Sequence, residues 1–453
     1  MMKGSITTFL ALSLSVLTGF LLFLTGSAVR NAEKICLEGA MDLGMNSVLG
    51  EFHTGLHDRY GLLYIDLSYG TGEPDLEKLE SRLDFFAGRN AKEEKNSPWG
   101  KVTIGQVSVN RIASAAFNDG NALKYQAVCY MQDCNHKKKQ RGKVLSEISD
   151  EGDRDVMAEW SGLMGQIAEI EPPLIQNEKG EWVEVPLDNP ADAVFALAGS
   201  DLFYLAGIDG NSIGVGMIQP GDYASHRTLQ NVQYGETKEA DTELFVSYLH
   251  EKMGNYGRIR ENSFLQYQLE YIIMGRFSDY ENLQAVIEKI LQWCFARNLE
   301  YAMNNDAMQS MAFQTAENLR AVSLKEAYKR PVAESMIYAI AYLESLAEVR
   351  CIFSGGNITS EKESFYLSWD QMLLACITQM PSFPEGICYE DFLTVLLMQL
   401  SEKERNLRSM DIMEMDIRMN DGNPGFAMDF CAERIEAEVK AGSYSLKRTY
   451  GYY

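Results

Sequence analysis

Between Lys3 and Arg30 the chain carries no ionisable side chain. The stretch 6–29, ITTFLALSLSVLTGFLLFLTGSAV, has 24 residues, about 36 Å as a helix, enough for a hydrocarbon core of about 30 Å. Lipid offers the backbone no hydrogen-bond partners, so such a stretch must satisfy itself as a helix. No second run of this kind follows. The sequence therefore predicts a single-pass anchor over 1–30 with one large domain outside the cytoplasm. The competing reading is a cleavable secretory signal, for which Gly26-Ser27-Ala28 offers small residues. The apolar run exceeds the roughly 7–15 residues of a signal core, which favours a retained anchor.

The spanning segment has a stripe of small residues: Ala11, Ser15, Gly19 and Gly26. Small side chains on one face let a second helix approach closely in lipid, although they are also common in membrane helices generally. Beyond Arg30 the helical period persists through Ala32, Ile35, Cys36, Gly39, Ala40, Leu43 and Ser47, with Gly50 and Gly55 as expected stops. A helix of about 45 residues is expected, half in lipid and half out.

The net charge is −23, with only two basic residues and no acid in the first thirty. An acidic exterior argues against nucleic acid or anionic headgroups as the main partner. A 46 % hydrophobic content allows ample core. The fold class expected is α+β. The anchor helix continues with a first strand over 31–75, and a mixed α/β region covers 76–235. A bundle of six or seven helices covers 236–420, and a terminal strand or hairpin 421–453. Strands are expected over 60–70, 102–109 and at Val183, Val185 and Leu187. Further strands are expected where Phe426, Met428 and Phe430 alternate and at Tyr444 and Leu446, with a turn near Gly442. Asp279 is the expected cap of a helix, and Pro331 suits the first turn of another ending at Gly355-Gly356. Helices are also expected over 365–380 and 389–419. The charged section 132–155 reads as an exposed loop or helix.

Chemical motifs are sparse. Cys129 and Cys134, in VCYMQDCNHKKK, are the one close cysteine pair and candidates for a local disulfide. Cys36, Cys294, Cys351, Cys376 and Cys431 read as small hydrophobes. His53 and His57 are four apart beside Asp58, two ligands without a third. His250-Glu251 opens a zincin-like string that Gly254 breaks, and Gly214-Val215-Gly216 lacks the rest of a nucleotide loop. Asp209-Gly210-Asn211 and Asp421-Gly422-Asn423 read as turns. The acidic pairs Glu402–Glu404 and Asp411–Glu414 read as solvated helix faces. No catalytic, metal or cofactor residue is assigned.

The amino terminus KGSITTFLALSLSVLTGFLLFLTGSAVRNAEKICLEGAMDLGMNSVLGEFH resembles the TadE/TadG-like proteins of bacterial tight-adherence (Flp) pilus systems. The stretches LQYQLEYIIMGRFSDYENLQAVIEKI, IAYLESLAEVRCIFSGG and ICYEDFLTVLLMQL resemble a larger uncharacterised Firmicutes family with the same amino terminus. The resemblance implies a membrane-anchored, exported structural or assembly component of a pilus or related secretion system. Its implied partners are the bilayer and the membrane helices of other pilin-like proteins. Prepilin-type processing would cut after Gly4, but Phe9 stands where that pattern has glutamate. The alternatives are an exported envelope hydrolase, whose acidic residues supply acid and base, or a ligand-sensing domain.

Overall fold

The computed structural model describes residues 3–93, 104–134, 155–219, 221–230, 237–441 and 444–453. The chain divides into two compact units, each assembled from separated stretches. The first is Met1–His136 with Gly221–Tyr248 and Asn406–Tyr453; the second is Lys137–Pro220 with Leu249–Arg405. Boundaries read along the sequence as contiguous blocks cut across both units. The architecture is α+β, with a long apolar helix at the amino terminus and a strand hairpin at the carboxyl terminus.

In the first unit one continuous helix, Lys3–Leu49, carries both the apolar stretch and its amphipathic continuation. Gly50 ends it as expected. Gly55 instead lies in the short helix Thr54–Tyr60, where a Cβ would strike the Asp421 carboxylate. Leu37, Met41, Met45 and Val48 are buried with Leu79 and Leu83 of helix Leu76–Glu93 and with the inner face of a sheet. The sheet centres on Cys431–Ala441. Val107–Ser114 pairs along one edge; Ile65–Asp66 and then Tyr444–Gly451 pair along the other, all antiparallel. The expected strand over 60–70 shrinks to Ile65–Asp66. That over 102–109 is displaced to Val107–Ser114, and residues 102 and 103 lie outside the described residues. The alternation at Phe426, Met428 and Phe430 is a 3-10 turn, Met428–Phe430, leading into the central strand. The terminal hairpin forms, though Gly442 lies outside the described residues, as does most of section 132–155.

The second unit is mainly helical. Its axis is Lys329–Phe353, buried on nearly every side, as expected of a helix apolar all round. Asp279–Met303, Asp306–Glu317, Val156–Ala168 and Ala191–Ala198 pack around it. Trp160 is buried at the centre of an aromatic cluster with Phe195, Phe295, Tyr338 and Tyr342. Pro331 sits in the first turn, and Gly355, at φ 86°, follows the end. Several helices are shorter than expected. The stretch 365–380 is helical only at Trp369–Leu373, beyond which Ala375 takes a positive φ. The stretch 389–419 splits into Tyr389–Gln399 and Glu402–Asn420, because Leu400 is extended and Ser401 caps the second helix. Nine α-helices and one 3-10 segment lie between 242 and 420 rather than six or seven helices. The strand at Val183 is a three-residue piece of a small hairpin, Leu174–Gln176 with Trp182–Glu184, and Val185 is buried beyond it.

Candidate functional site

The Lys3–Leu49 helix is the strongest candidate for function. Its apolar half is largely exposed: Phe9, Leu12, Leu14, Val16, Leu22 and Phe23 are all open. Thr18 donates to the Leu14 carbonyl at 2.7 Å and Thr25 to the Leu21 carbonyl at 2.9 Å. Hydroxyls in hydrocarbon need such internal acceptors. Ala11, Ser15 and Gly19 are exposed and Gly26 is half-buried. A Cβ at Gly19 or Gly26 would meet nothing within 4 Å, so the stripe is open to a neighbour. Gly4 lies in the first turn.

Cys129 and Cys134 are free thiols in the structure. Cys129 lies within helix Phe117–Asp133 and Cys134 caps its end; a separation of five residues turns side chains to different faces. Cys376 is exposed, and Cys36 and Cys388 are half-buried, so only Cys294, Cys351 and Cys431 behave as core hydrophobes. His53 and His57 do not converge. His53 Nδ1 caps the Thr54–Tyr60 helix by accepting from Leu56 N at 3.2 Å, while His57 Nδ1 lies 3.3 Å from Asp58. His250 Nε2 lies 2.9 Å from the Thr394 hydroxyl. Among the described residues no group of three or more His, Cys, Asp or Glu could hold a metal ion. Asp209 caps a turn by accepting from Asn211 N at 3.0 Å.

Charge is concentrated where the sequence did not indicate it. Asp411 and Glu414, expected on a solvated face, are fully buried. Glu414 accepts from Arg227 at 2.6 and 2.7 Å and from Met428 N at 2.8 Å, and Arg227 also pairs with Asp429. Burial opposes the Arg227 charge, but Glu414 and Asp429 outweigh it and hold the guanidinium more firmly protonated than usual. Asp411 takes both the amide and hydroxyl of Ser225, and Asp416 accepts from Tyr60 at 2.7 Å. The available signal was the surrounding string, MDIMEMDIRM. A helix apolar on every side must bury its acids as well, and buried acids need partners.

The second unit repeats the device. Glu344 and Glu348, four apart on the axial helix, share Lys362 at 2.6 and 2.8 Å. Glu348 also accepts from Arg297 at 2.7 Å and Asn298 at 2.8 Å. Burial raises the Glu348 carboxyl, but Arg297 and Lys362 outweigh it and keep it below its ordinary value. Asp279 is not the cap; Ser278 is. Buried, Asp279 instead accepts amides from Gly216, Gln266 and Tyr267. A Cβ at Gly214 or Gly216 would come within 2.6 Å of its carboxylate, which explains that glycine-rich run. Glu270, wholly buried, accepts from Tyr389 at 2.6 Å and Tyr256 N at 2.8 Å, while its Oε2 has no partner. Burial pushes its carboxyl up to about 7.

An open groove of about 540 Å³ in this unit is edged by Asp155, Ser200, Asp201, Gln284 and Glu288. Its acids are engaged locally. Asp155 and Asp201 cap helices through Ala158 N and Tyr204 N, at 3.0 and 2.9 Å, and Glu288 accepts from Gln284 at 3.2 Å.

These features define an α+β protein with, among the described residues, one helix long and apolar enough to cross a membrane. The chain belongs to DUF5702, a family of unknown function, whose model matches residues 180–443. That match lies beyond the anchor helix. No curated protein and no solved structure matches the chain.

Proposed function

We propose that this is a single-pass membrane protein whose remaining chain works outside the cytoplasm as a non-catalytic structural or assembly component. The observation that carries this is the division of labour within one unbroken helix. Its first half exposes a lipid-length apolar surface, while its second half is core of the first unit. Continuity through Gly26-Ser27-Ala28 supports a retained anchor. The amino-terminal resemblance to TadE/TadG-like proteins supports a Tad/Flp-type pilus or related secretion system as the setting, with other membrane helices as partners. The buried carboxylates have guanidinium, ammonium, hydroxyl or backbone partners; of the groove acids, Asp155 and Asp201 cap helices and Glu288 accepts from Gln284. Both observations favour structure over acid–base chemistry. A protease added to intact, wall-stripped cells should digest the chain beyond about residue 30. Protection until lysis would overturn the topology.

A further inference from the structure

Strand Tyr444–Gly451 runs beside the anchor helix, and its contacts fix the two in step. Lys34 Nζ sits 5.4 Å from the Tyr444 ring centre. Arg448 reaches Glu38 at 3.5 Å and Asp42 at 3.4 Å. Tyr452 donates to the Leu49 carbonyl at 2.6 Å. Tyr444 is thus the residue of this strand that lies nearest the apolar stretch. Other chain ends meet at the same level. Ala441 pairs with Tyr444 and Lys440 with Ser445, and Gly105 N donates to the Lys440 carbonyl at 2.8 Å.

Helix geometry gives this level a depth. Arg30 ends the uncharged stretch, and Lys34 lies about 6 Å further along the axis. A bilayer about 40–45 Å thick around a core of about 30 Å leaves a headgroup layer of about 5–8 Å on each side. Lys34 and Tyr444 fall within that layer. The residues suit it: Arg30, Lys34 and Lys440 are exposed, and Ile35 is 68 % exposed beside them. Tyrosine rings favour the membrane–water interface, and lysines keep apolar stems in it while their ammonium groups reach water or phosphate.

We infer that this end of the first unit is a platform resting in the phospholipid headgroup layer. Tyr444 lies at the interface, and Lys34 and Lys440 face lipid phosphates. The first unit is then held directly against the membrane, without an extended stalk. The inference rests on the anchor reading, and its test separates the two. The full chain is reconstituted in phosphatidylcholine–phosphatidylglycerol vesicles with the photo-crosslinking residue p-benzoylphenylalanine at Tyr444, at Leu17, or at Asp58. Asp58 is exposed beyond the far end of the anchor helix. After irradiation, phospholipid adducts are read by mass spectrometry. Adducts are expected at positions 17 and 444 and not at 58. An adduct at 17 without one at 444 overturns the platform and leaves the anchor standing. No adduct at 17 overturns the anchor and the platform with it. Equal yields at 58 and 444 also overturn the platform.

Discussion

Glu270 is a carboxylic acid held where its charge has little support. One oxygen takes two donors and the other none, while nearby Asp279 adds a like charge. Its folded pKa of about 7 stands above the ordinary 4.5. Between those values the folded chain binds more protons than the unfolded one, so stability falls as pH rises through about 4.5 to 7. The drop is on the order of 3 kcal/mol. Glu270→Gln keeps an acceptor for Tyr389 and Tyr256 without the ionisation. Its urea midpoint should therefore lose most of the decline between pH 5 and 8; an unchanged slope refutes the assignment. The Arg227 network gives a contrasting case. Glu414→Ala leaves a largely buried guanidinium with an incomplete partner set, at a cost of about 3–5 kcal/mol. Glu334→Ala breaks the exposed pair with Arg330 and should leave the unfolding midpoint unchanged, because exposed pairs contribute little. Equal effects would show that Glu414 is not the load its geometry implies. None of these partners was legible in the sequence. Arg227 and Glu414 stand 187 positions apart, and an acid reads alike whether water or guanidinium surrounds it.

At the scale of elements, legibility follows from how local the cause is. The Lys3–Leu49 helix was readable because lipid imposes a length, and the helical period then continued to Gly50. The Asp279–Met303 and Lys329–Phe353 helices were readable from apolar spacing, and Gly355 marked the end of the second. The break at Leu400–Ser401 was not, since the residues on both sides keep a helical period and only the Ser401 cap divides them. Gly214-Val215-Gly216 read only as an incomplete nucleotide loop, yet both glycines lie against the Asp279 carboxylate, 63 residues away from Gly216. The anchor helix gives the prediction proper to this scale. Gly19→Leu adds bulk where nothing in the chain stands within 4 Å, so insertion and folding should persist. Association with another membrane helix should weaken by about 1–2 kcal/mol, read as lost intramembrane crosslinking. If Gly19→Leu and Ser15→Leu leave every crosslinked partner unchanged, the stripe has no packing role.

For the whole molecule, the sequence conveyed the class of structure but not how its pieces close. Composition and period gave an α+β chain with an apolar leading helix and a terminal hairpin. They could not show that the hairpin returns beside the helix that begins the chain. That closure is made by Lys34 with Tyr444, Arg448 with Glu38 and Asp42, and Tyr452 with Leu49. Its consequence is that the second half of the Lys3–Leu49 helix, from Lys34 to Leu49, belongs to the first unit. A chain beginning at Arg30 loses mostly exposed apolar surface and none of these contacts, so it should stay soluble without detergent and keep its near-ultraviolet circular dichroism. A chain beginning at Gly50 also loses Leu37, Met41, Met45 and Val48, all buried in the first unit. Removing one large buried side chain costs about 2–5 kcal/mol, so four should exhaust a domain stability of about 5–15 kcal/mol. The second truncation should therefore leave the first unit unfolded, seen as lost tertiary dichroism and rapid proteolysis of its strands. If the chain from Gly50 folds as well as the chain from Arg30, the helix is an anchor alone. The division of labour on which the proposed function rests would then be wrong.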